Sequence, residues 1–408
     1  MNVFSFGLRN LQRNRRRTAI SILSIALGLA AIATFAGYTK TVNRSLEQQA
    51  IYGELLGHLT ISIDGFYEAG RLDPGKYLFS PDQLALVSQI LKSLDPNALA
   101  APRLGVSGLL SNGKVSTIFV GESLSPENMQ SLRGPRVRAS GMLDGAIPTG
   151  VTVARGLAAM MRLADGADAS ILTSTISGQA NAVDVQIVDT FSTGNIATED
   201  KAVYLPLTVA QTLLDAEGQA DRVTVLLPDA ALSDAMKSRL QEALAGKNLS
   251  VTVRTWKELS AFYTPVKQLF DRVFAFLLTI VLIIVAMSVA NAMGMNVVER
   301  TREIGTLRAI GMRRSGIVRL FLAEAVLLVA IGCAIGTTIA IALSQGINAA
   351  QFAYKPPNAT ESVFLFIDFD GLKALAAAVV LCLLGTVASL VPARRAARKP
   401  IVESLIHI

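Results

Sequence analysis

The chain has 408 residues, of which 51% are hydrophobic and only 17% charged, and its mean hydropathy is +0.45. These values argue against an ordinary soluble protein and indicate a membrane protein with a sizeable soluble portion. The net charge of +7 is concentrated in residues 9–17, 300–319 and 394–399, each beside an apolar run. This pattern is typical of the cytoplasmic flanks of membrane spans and disfavours nucleic-acid binding.

The N-terminal segment 1–17 mixes apolar side chains with arginines and predicts a cytoplasmic amphipathic helix at the membrane interface. Residues 18–42 are predicted to form the first span. Their uncharged part, 18–38, is long enough at ~1.5 Å per residue to cross a ~30 Å hydrocarbon core. A cleaved signal peptide is the competing interpretation, although the apolar run is long for one.

Residues 43–265 are long enough for a core of their own and predict a mixed α+β extracytoplasmic domain. The Asn-Gly pair in Ser111-Asn112-Gly113-Lys114 predicts a hairpin between two strands. Alternating and helical patterns predict the other elements. Strands are expected at 57–66, 169–175, 183–191, 222–227 and 249–254, and helices at 81–94, 153–163, 207–214 and 232–244.

No catalytic or metal-binding constellation is apparent in this domain. His58 has no companion of the G-x-S-x-G type, and scattered carboxylates such as Glu122 are expected to be solvated surface charges. Cys333 and Cys382 lie inside apolar runs and are expected to be reduced packing residues. Trp256 is expected to be a packing anchor.

The C-terminal part, 266–408, predicts three further spans with both termini on the cytoplasmic side. The spans are expected at 273–295, 317–343 and 372–391, with a cytoplasmic loop at 296–316, an outer loop at 344–371 and a cytoplasmic tail at 392–408. Glu324 is close in sequence to Arg319, and a structural ion pair is expected for it in preference to a proton relay.

Small and polar residues within the spans are candidates for helix–helix contacts between two copies of the chain, although such residues often serve packing within one chain or face lipid. The candidates are Gly28, Ala33, Gly37, Ser288 and Asn291.

The stretch 296–324 is crowded with charge, and its glycines, Gly305 and Gly311, predict short helices separated by breaks. Ile304, Leu307 and Ile310 are spaced by three residues and are expected to share one helix face. The loop is either only an orientation signal or a short helix that docks in a groove of a partner.

The sequence E-R-T-R-E-I-G-T-L-R-A-I-G in this loop resembles the coupling-helix signature of FtsX/MacB-type ABC permeases, a group that includes the LolC/LolE subunits. The resemblance implies that the loop contacts an ATPase subunit. The implied contact residues are Glu299, Arg300, Arg302, Glu303, Ile304, Gly305, Leu307, Arg308, Ala309, Ile310 and Gly311. The tail VPARRAARKPIVESLI resembles the P-A-R-x-A-A-x-x-x-P-x-E-x-L ending of the family, which implies further contacts by Arg394, Arg395 and Pro400.

The large domain resembles the MacB/LolC periplasmic domain, in which a porter-like α/β part is interrupted by a small β-rich insert called the sabre. The resemblance places the insert at about 141–205. The segments Tyr204-Leu205-Pro206-Leu207 and Thr255-Trp256-Lys257-Glu258-Leu259 fit positions where relatives carry similar motifs.

No G-x-x-x-x-G-K-[ST] motif occurs in the sequence, so no P-loop for ATP is present. The resemblance therefore implies a non-catalytic, stand-alone permease that binds no cofactor itself. ATP and Mg²⁺ would be bound by two copies of a cytoplasmic ABC ATPase subunit.

A second permease copy completes the implied assembly, as a homodimer or as a heterodimer of the LolC/LolE kind. Membrane lipids and a periplasmic adaptor or lipoprotein are the other expected partners, in a bacterial inner membrane.

Two functions follow from the resemblance. The first is ATP-driven export or extraction of a lipoprotein, lipid, peptide or other amphiphile. The alternative is transmission of a signal to an extracytoplasmic partner such as a cell-wall hydrolase. From outside the family, a membrane-anchored receptor remains a second alternative.

Overall fold

The computed structural model describes residues 15–70, 72–134, 140–247, 249–355 and 359–406. Most of the predicted N-terminal amphipathic helix lies outside the described residues. The chain forms two compact units. The membrane unit comprises Met1–Asn43, Val266–Ala353 and Phe364–Ile408, and the extracytoplasmic unit comprises Arg44–Pro265 and Tyr354–Val363.

Long helices precede and follow a segment in which strands and shorter helices are interspersed. The helices are α1 (Arg15–Gln48), α2 (Phe66–Ala69), α3 (Pro81–Leu94), α4 (Pro126–Leu132), α5 (Arg155–Met161), α6 (Ile196–Glu199), α7 (Leu207–Leu214), α8 (Ser233–Ala245), α9 (Trp256–Leu259), α10 (Tyr263–Glu299), α11 (Thr301–Ala309), α12 (Arg314–Ala350), α13 (Gly371–Arg398) and α14 (Ile401–Ile406). The strands are β1 (Leu59–Ile63), β2 (Leu99–Ser111), β3 (Ser116–Leu124), β4 (Gly150–Ala154), β5 (Asp168–Ser174), β6 (Ala180–Phe191), β7 (Ala202–Pro206), β8 (Arg222–Leu226), β9 (Val251–Thr255), β10 (Ala353–Tyr354) and β11 (Val363–Phe364).

Four helices in the described ranges are long and apolar enough to cross a membrane: α1 with its π-helical extension to Gly53, α10, α12 and α13. The shortest, α13, has 28 residues, which at ~1.5 Å per residue exceeds a ~30 Å hydrocarbon core. The predicted class, a four-span membrane protein with an α+β extracytoplasmic domain, is confirmed. Each span continues beyond its predicted limits.

The spans pack closely where a small residue on one helix meets a neighbouring helix. A Cβ atom added to Gly336 of α12 would lie 2.6 Å from the carbonyl oxygen of Ala26 in α1. A Cβ atom added to Gly385 of α13 would lie 2.7 Å from the Val329 side chain of α12. Ile25, Val285, Phe321 and Leu381 fill the shared apolar core.

Some residues predicted for a permease–permease interface have close neighbours within this chain. Gly28 faces Val281 of α10, and Gly37 faces the backbone of Asp368. Ala33 is buried in a cluster with Ala340 and Ala374. Small residues permit close approach to any neighbour, and in this chain the neighbours are its own helices. Ser288 is half-buried and Asn291 is exposed, so the prediction for these two stays open.

Most strands of the extracytoplasmic unit join one sheet, in the order β3-β7-β4-β6-β5-β2-β8-β1-β9, and β3 also pairs with β2. The strands β2, β3, β7, β4, β6 and β5 therefore form a closed ring. Residues 99–103 of β2 pair with β8, outside the ring, while residues 104–111 pair with β3. The predicted insert at 141–205 contains β4 to β7, and β2 and β3 complete the ring.

Two apolar cores follow from this topology. One contains Leu110, Phe119, Ile171 and other inward-facing residues of the ring. The other lies between β1, β8 and β9 and the helices α3 and α8. The Asn-Gly hairpin is confirmed: Asn112 Oδ1 accepts the backbone N–H groups of Lys114 and Val115. The predicted helix at 153–163 begins only at Arg155, because residues 150–154 form β4.

A group of charged side chains joins β2, β3 and β8 where the ring meets the open sheet. Glu122 Oε2 lies 2.8 Å from Arg103 Nη2 and 2.8 Å from Arg222 Nη2. Arg222 Nε also contacts Asp221 Oδ1 at 2.9 Å, and Arg103 donates to the carbonyl of Leu55. The expectation that Glu122 is a solvated surface charge is therefore wrong. Burial would raise the pKa of Glu122, but the two guanidinium groups outweigh burial and hold it below its usual value.

This charge group makes the stability of the extracytoplasmic unit depend on pH. Since the folded-state pKa of Glu122 is lowered, its stabilising contribution is present above the unfolded-state value of 4.5 and is lost as pH falls through the folded-state value. Glu122→Gln should lower the melting temperature at neutral pH, and the gap to the wild type should shrink in acid. Fluorescence of Trp256, the single tryptophan, reports unfolding of this unit. A difference in melting temperature between the two proteins that stays constant with pH would contradict the proposed role of the Glu122 ion pairs.

The close approach of α1 and α12 predicts a position-specific cost of added volume. Gly336→Val should destabilise the protein by about 1–3 kcal/mol, because overpacking forces the helices apart. Gly346→Val, in the same helix, is the matched control because nothing lies within 4 Å of the added Cβ there. Thermal unfolding in detergent compares the two variants, and equal losses would show that only helix propensity is being measured.

Candidate functional site

The chain turns sharply between the second and third spans. Helix α10 ends at Glu299, Arg300 leaves the helical conformation with φ −110° and ψ 16°, and α11 follows at once. At its far end Gly311 has φ +103°, a backbone conformation that favours glycine. The prediction of short helices with breaks is confirmed, but Gly305 is not a break: it is buried within α11.

Arg300 sits at the centre of a buried polar group that joins the helices meeting at this turn. Its Nη1 donates to Glu324 Oε2 of α12 at 3.2 Å, and its Nε donates to Glu303 Oε2 of α11 at 2.8 Å. Asn296 Nδ2 of α10 donates to the other oxygen of Glu324 at 2.9 Å. Arg300 is 7% exposed and Glu324 is 1% exposed.

The predicted ion pair of Glu324 therefore exists, but its partner is Arg300 and not Arg319. Residues five apart on a helix point in directions that differ by about 140°, and Arg319 is exposed while Glu324 is buried. Asn296 and Thr301 are not among the residues that the sequence predicts for this site. The sequence offers one indication of their role, because each is a polar residue near the end of a long apolar run.

The C-terminal segment packs on one side of α11. Arg308 donates to the carbonyl of Lys399, and Lys399 Nζ lies 3.5 Å from Thr301 Oγ1. Ala393 and Ala396 of α13 share a core with Ile304. Pro400 separates α13 from α14, and Arg394 and Arg395 are exposed. The C-terminal tail therefore packs directly against α11.

The expected apolar docking face of α11 is wrong in its residues. Ile304 is buried, and Leu307 is half-buried against the membrane-unit core. Ile310 lies just beyond the helix and is 80% exposed. The outward face instead presents Arg302, Thr306 and Ala309, which are spaced so that they share one side of a helix. The physical reason is that the tail and α12 cover the side on which Ile304 lies.

The rim of this surface is basic. Arg302, Arg313, Arg314, Arg394, Arg395 and Arg398 are exposed. Arg17 Nη1, near the start of α1, contacts Glu299 Oε1 at 2.8 Å, so the first span reaches the same end of the unit. A surface of this kind can bind an acidic protein partner through its charged rim and the exposed Ile310.

The described residues hold no cluster of three or more potential metal ligands. His58 is buried, and its Nδ1 accepts the N–H of Leu227 at 2.8 Å. Burial lowers the pKa of His58 to about 4, so the neutral ring serves as a structural acceptor. Trp256 is buried against Tyr263 with ring centroids 4.5 Å apart, which confirms its predicted role as a packing anchor.

Comparison with known families matches most of the chain. Residues 275–401 match the model of the FtsX-like permease C-terminal region. Residues 18–243 match the MacB-like periplasmic core domain, which is more than half of the 408 residues.

Individual relatives agree with these matches. The macrolide export ATP-binding/permease protein MacB of Acinetobacter baylyi is 25% identical over 429 aligned residues, covering 98% of this chain and 59% of the relative. The protein of the same name from Bordetella avium is 32% identical over 211 residues, covering 50% of this chain and 30% of the relative. The chain thus spans less than two thirds of either relative.

Among solved structures, the periplasmic region of MacB from Actinobacillus actinomycetemcomitans is similar with a TM-score of 0.36 and 11% identity, covering 53% of this chain and 92% of that one. The extracellular domain of the noncanonic ABC-type transporter YknZ from Gram-positive bacteria is similar with a TM-score of 0.33 and 10% identity, covering 48% of this chain and 99% of that one.

The buried ion pair predicts a large cost when one partner is removed. Glu324→Leu should destabilise the protein by up to about 3–5 kcal/mol, because Arg300 would lose the more buried of its two carboxylate partners. Glu299→Leu removes the exposed pair with Arg17 and should cost at most about 1 kcal/mol. Denaturant unfolding in mixed micelles measures both. The double variant Arg300→Met/Glu324→Leu should recover part of the loss, and no recovery would contradict the pairing.

Proposed function

Because this chain belongs to the FtsX/MacB-type family of ABC transporter permeases, we propose that it couples ATP hydrolysis by a separate cytoplasmic ABC ATPase to movement of its extracytoplasmic domain. The observation that carries this proposal is the structure of α11. One side of the helix is fixed to the permease core, while the opposite side is exposed and bordered by arginines.

The fixed side explains how a force applied to α11 would reach the spans. Arg300 is hydrogen-bonded to α11 and α12 at once, and Asn296 extends the same group to α10. Arg308 adds the segment after α13. A loop that only set membrane orientation would need charge but no such buried connections.

The exposed side supplies the docking surface. Ile310 is an apolar side chain that a partner would remove from water, and Arg302 and Arg313 would face carboxylates on that partner. The ATPase would bind ATP and Mg²⁺, since the 408 residues contain no P-loop sequence. We propose an assembly of two permease chains and two ATPase chains.

The same surface supports a proposed orientation in the membrane. Arg15 to Arg17, the arginines around α11 and those at the end of α13 belong to one end of the span bundle, as the contacts of Arg17 and Arg308 support. We place this end, and with it both termini, in the cytoplasm of a bacterial inner membrane.

On this mechanism, ATP-driven movement of the ATPases shifts α11 and the bonded ends of the spans. The chain runs from α1 into the extracytoplasmic unit and from that unit into α10. Movement of these two helices would therefore be transmitted to the unit. The proposed outcome is export of an amphiphile, such as a lipid, lipoprotein or peptide, or its extraction from the membrane.

Docking predicts that one exposed side chain affects ATPase binding without affecting folding. Ile310→Asp should weaken binding of the ATPase by ~2 kcal/mol, or about thirtyfold in Kd, as for an interface anchor. Its melting temperature should match that of the wild type. Pull-down of the ATPase and ATP turnover in proteoliposomes are the measurements.

Two variants serve as controls. Ile118→Asp changes an isoleucine that is 67% exposed in the extracytoplasmic unit and should leave ATPase binding intact. Leu307→Asp should instead lower the melting temperature, because Leu307 packs against the core. If Ile310→Asp bound the ATPase normally and kept its turnover, α11 would be an orientation signal only.

The same proteoliposomes separate export from pure signalling. Stimulation of ATP turnover by added lipopeptide or lipoprotein, together with its transfer to the outside, is expected for an exporter. Turnover that responds only to an extracytoplasmic protein partner would instead indicate a signal transmitter.

A further inference from the structure

The segment between the third and fourth spans carries exposed aromatic side chains that the proposed coupling does not use. Phe352 follows the end of α12, and Phe364 and Phe366 precede α13. Each of the three is more than half exposed. We propose that these phenylalanines form a lipid-contact surface in the membrane–water interface, on the side where α1 continues into the extracytoplasmic unit.

The backbone that presents these rings is held in place. Leu365 N–H donates to the carbonyl of Phe352 at 2.7 Å. Asn348 of α12 makes two hydrogen bonds to Ile367, donating to its carbonyl at 3.0 Å and accepting its N–H at 2.8 Å. The aromatic segment is therefore fixed to the end of α12.

Alternation along the segment places the rings on one side. Phe364 and Phe366 point outward, while Leu365 is half-buried and Ile367 is buried. Two-residue periodicity gives an extended chain one apolar outer face and one inner face. Leu365 and Ile367 are covered at least in part by the protein's own contacts, whereas the rings of Phe364 and Phe366 are mostly uncovered.

Exposed apolar side chains also occur along α13, which begins five residues after Phe366. Leu372 and Leu375 are exposed at the start of this span, and Val379 and Leu383 extend the same side at helical spacing. Since the exposed apolar side of a span faces acyl chains, apolar rings that precede the start of the span by a few residues would lie at the interface. Aromatic residues are enriched at this depth in membrane proteins.

The same segment is bonded to the first span. Lys40 Nζ contacts Asp368 Oδ2 at 2.8 Å, and Asp368 N–H donates to Thr41 Oγ1 at 3.2 Å. The lipid-contact surface would therefore fix the depth of this end of α1 in the membrane. This inference requires only that the chain spans a membrane and is independent of ATPase binding.

Tryptophan fluorescence tests the surface in the full chain without the ATPase. Phe366→Trp is made in a Trp256→Phe background, which removes the native tryptophan. Trp256 Nε1 has no hydrogen-bond partner within the described part of the chain, so phenylalanine leaves no acceptor unpaired. The protein is placed in phosphatidylethanolamine and phosphatidylglycerol nanodiscs, with or without bromine on the acyl chains.

The proposal expects a blue-shifted emission that brominated lipid quenches and aqueous acrylamide quenches weakly. Leu375→Trp is the control for lipid contact, and Leu72→Trp, at a position 87% exposed in the extracytoplasmic unit, is the control for water. Phe364→Trp repeats the test should Phe366→Trp fold poorly. Emission like that of Leu72→Trp would overturn the proposal, and so would protection from both quenchers, which would indicate a protein partner.

Discussion

Arg300 and Glu324 form an ion pair that is almost entirely shielded from water, and the arrangement of α10, α11 and α12 depends on this pair. Burying either charge alone is costly, so each must keep its partner within hydrogen-bond distance. Asn296 and Glu303 complete the pair and fix α10, α11 and α12 at one point. Separating α11 or α12 from Arg300 would remove one of its carboxylate partners, and separating α10 would remove the hydrogen bond from Asn296 to Glu324.

The same region shows what local pattern can and cannot predict. Gly311 marks the break after α11, as predicted, whereas the break before α11 falls at Arg300 and the other predicted break, Gly305, lies inside the helix. The side that it exposes depends on Lys399 and α14, about ninety residues further along. Periodicity gives the residues that share a face but carries no information on which face a distant segment covers.

The membrane helices illustrate the same limit. Small residues predict close approach, and Gly28 and Gly37 do lie in close contacts. The partner of such a contact is set by tertiary packing, and in this protein it is the chain itself. The fold class, by contrast, depends on the lengths of apolar runs and on charge, which the sequence contains directly.

The strand ring of the extracytoplasmic unit has a mechanical consequence. A closed ring has no free edge, so its strands cannot splay apart without breaking hydrogen bonds between them. Among the described strands, β2 alone belongs both to the ring and to the sheet formed with β8, β1 and β9. The ion pairs of Glu122 with Arg103 and Arg222 cross the same junction, so bending near Leu104, where β2 leaves the ring, would have to break these ion pairs as well as distort one strand.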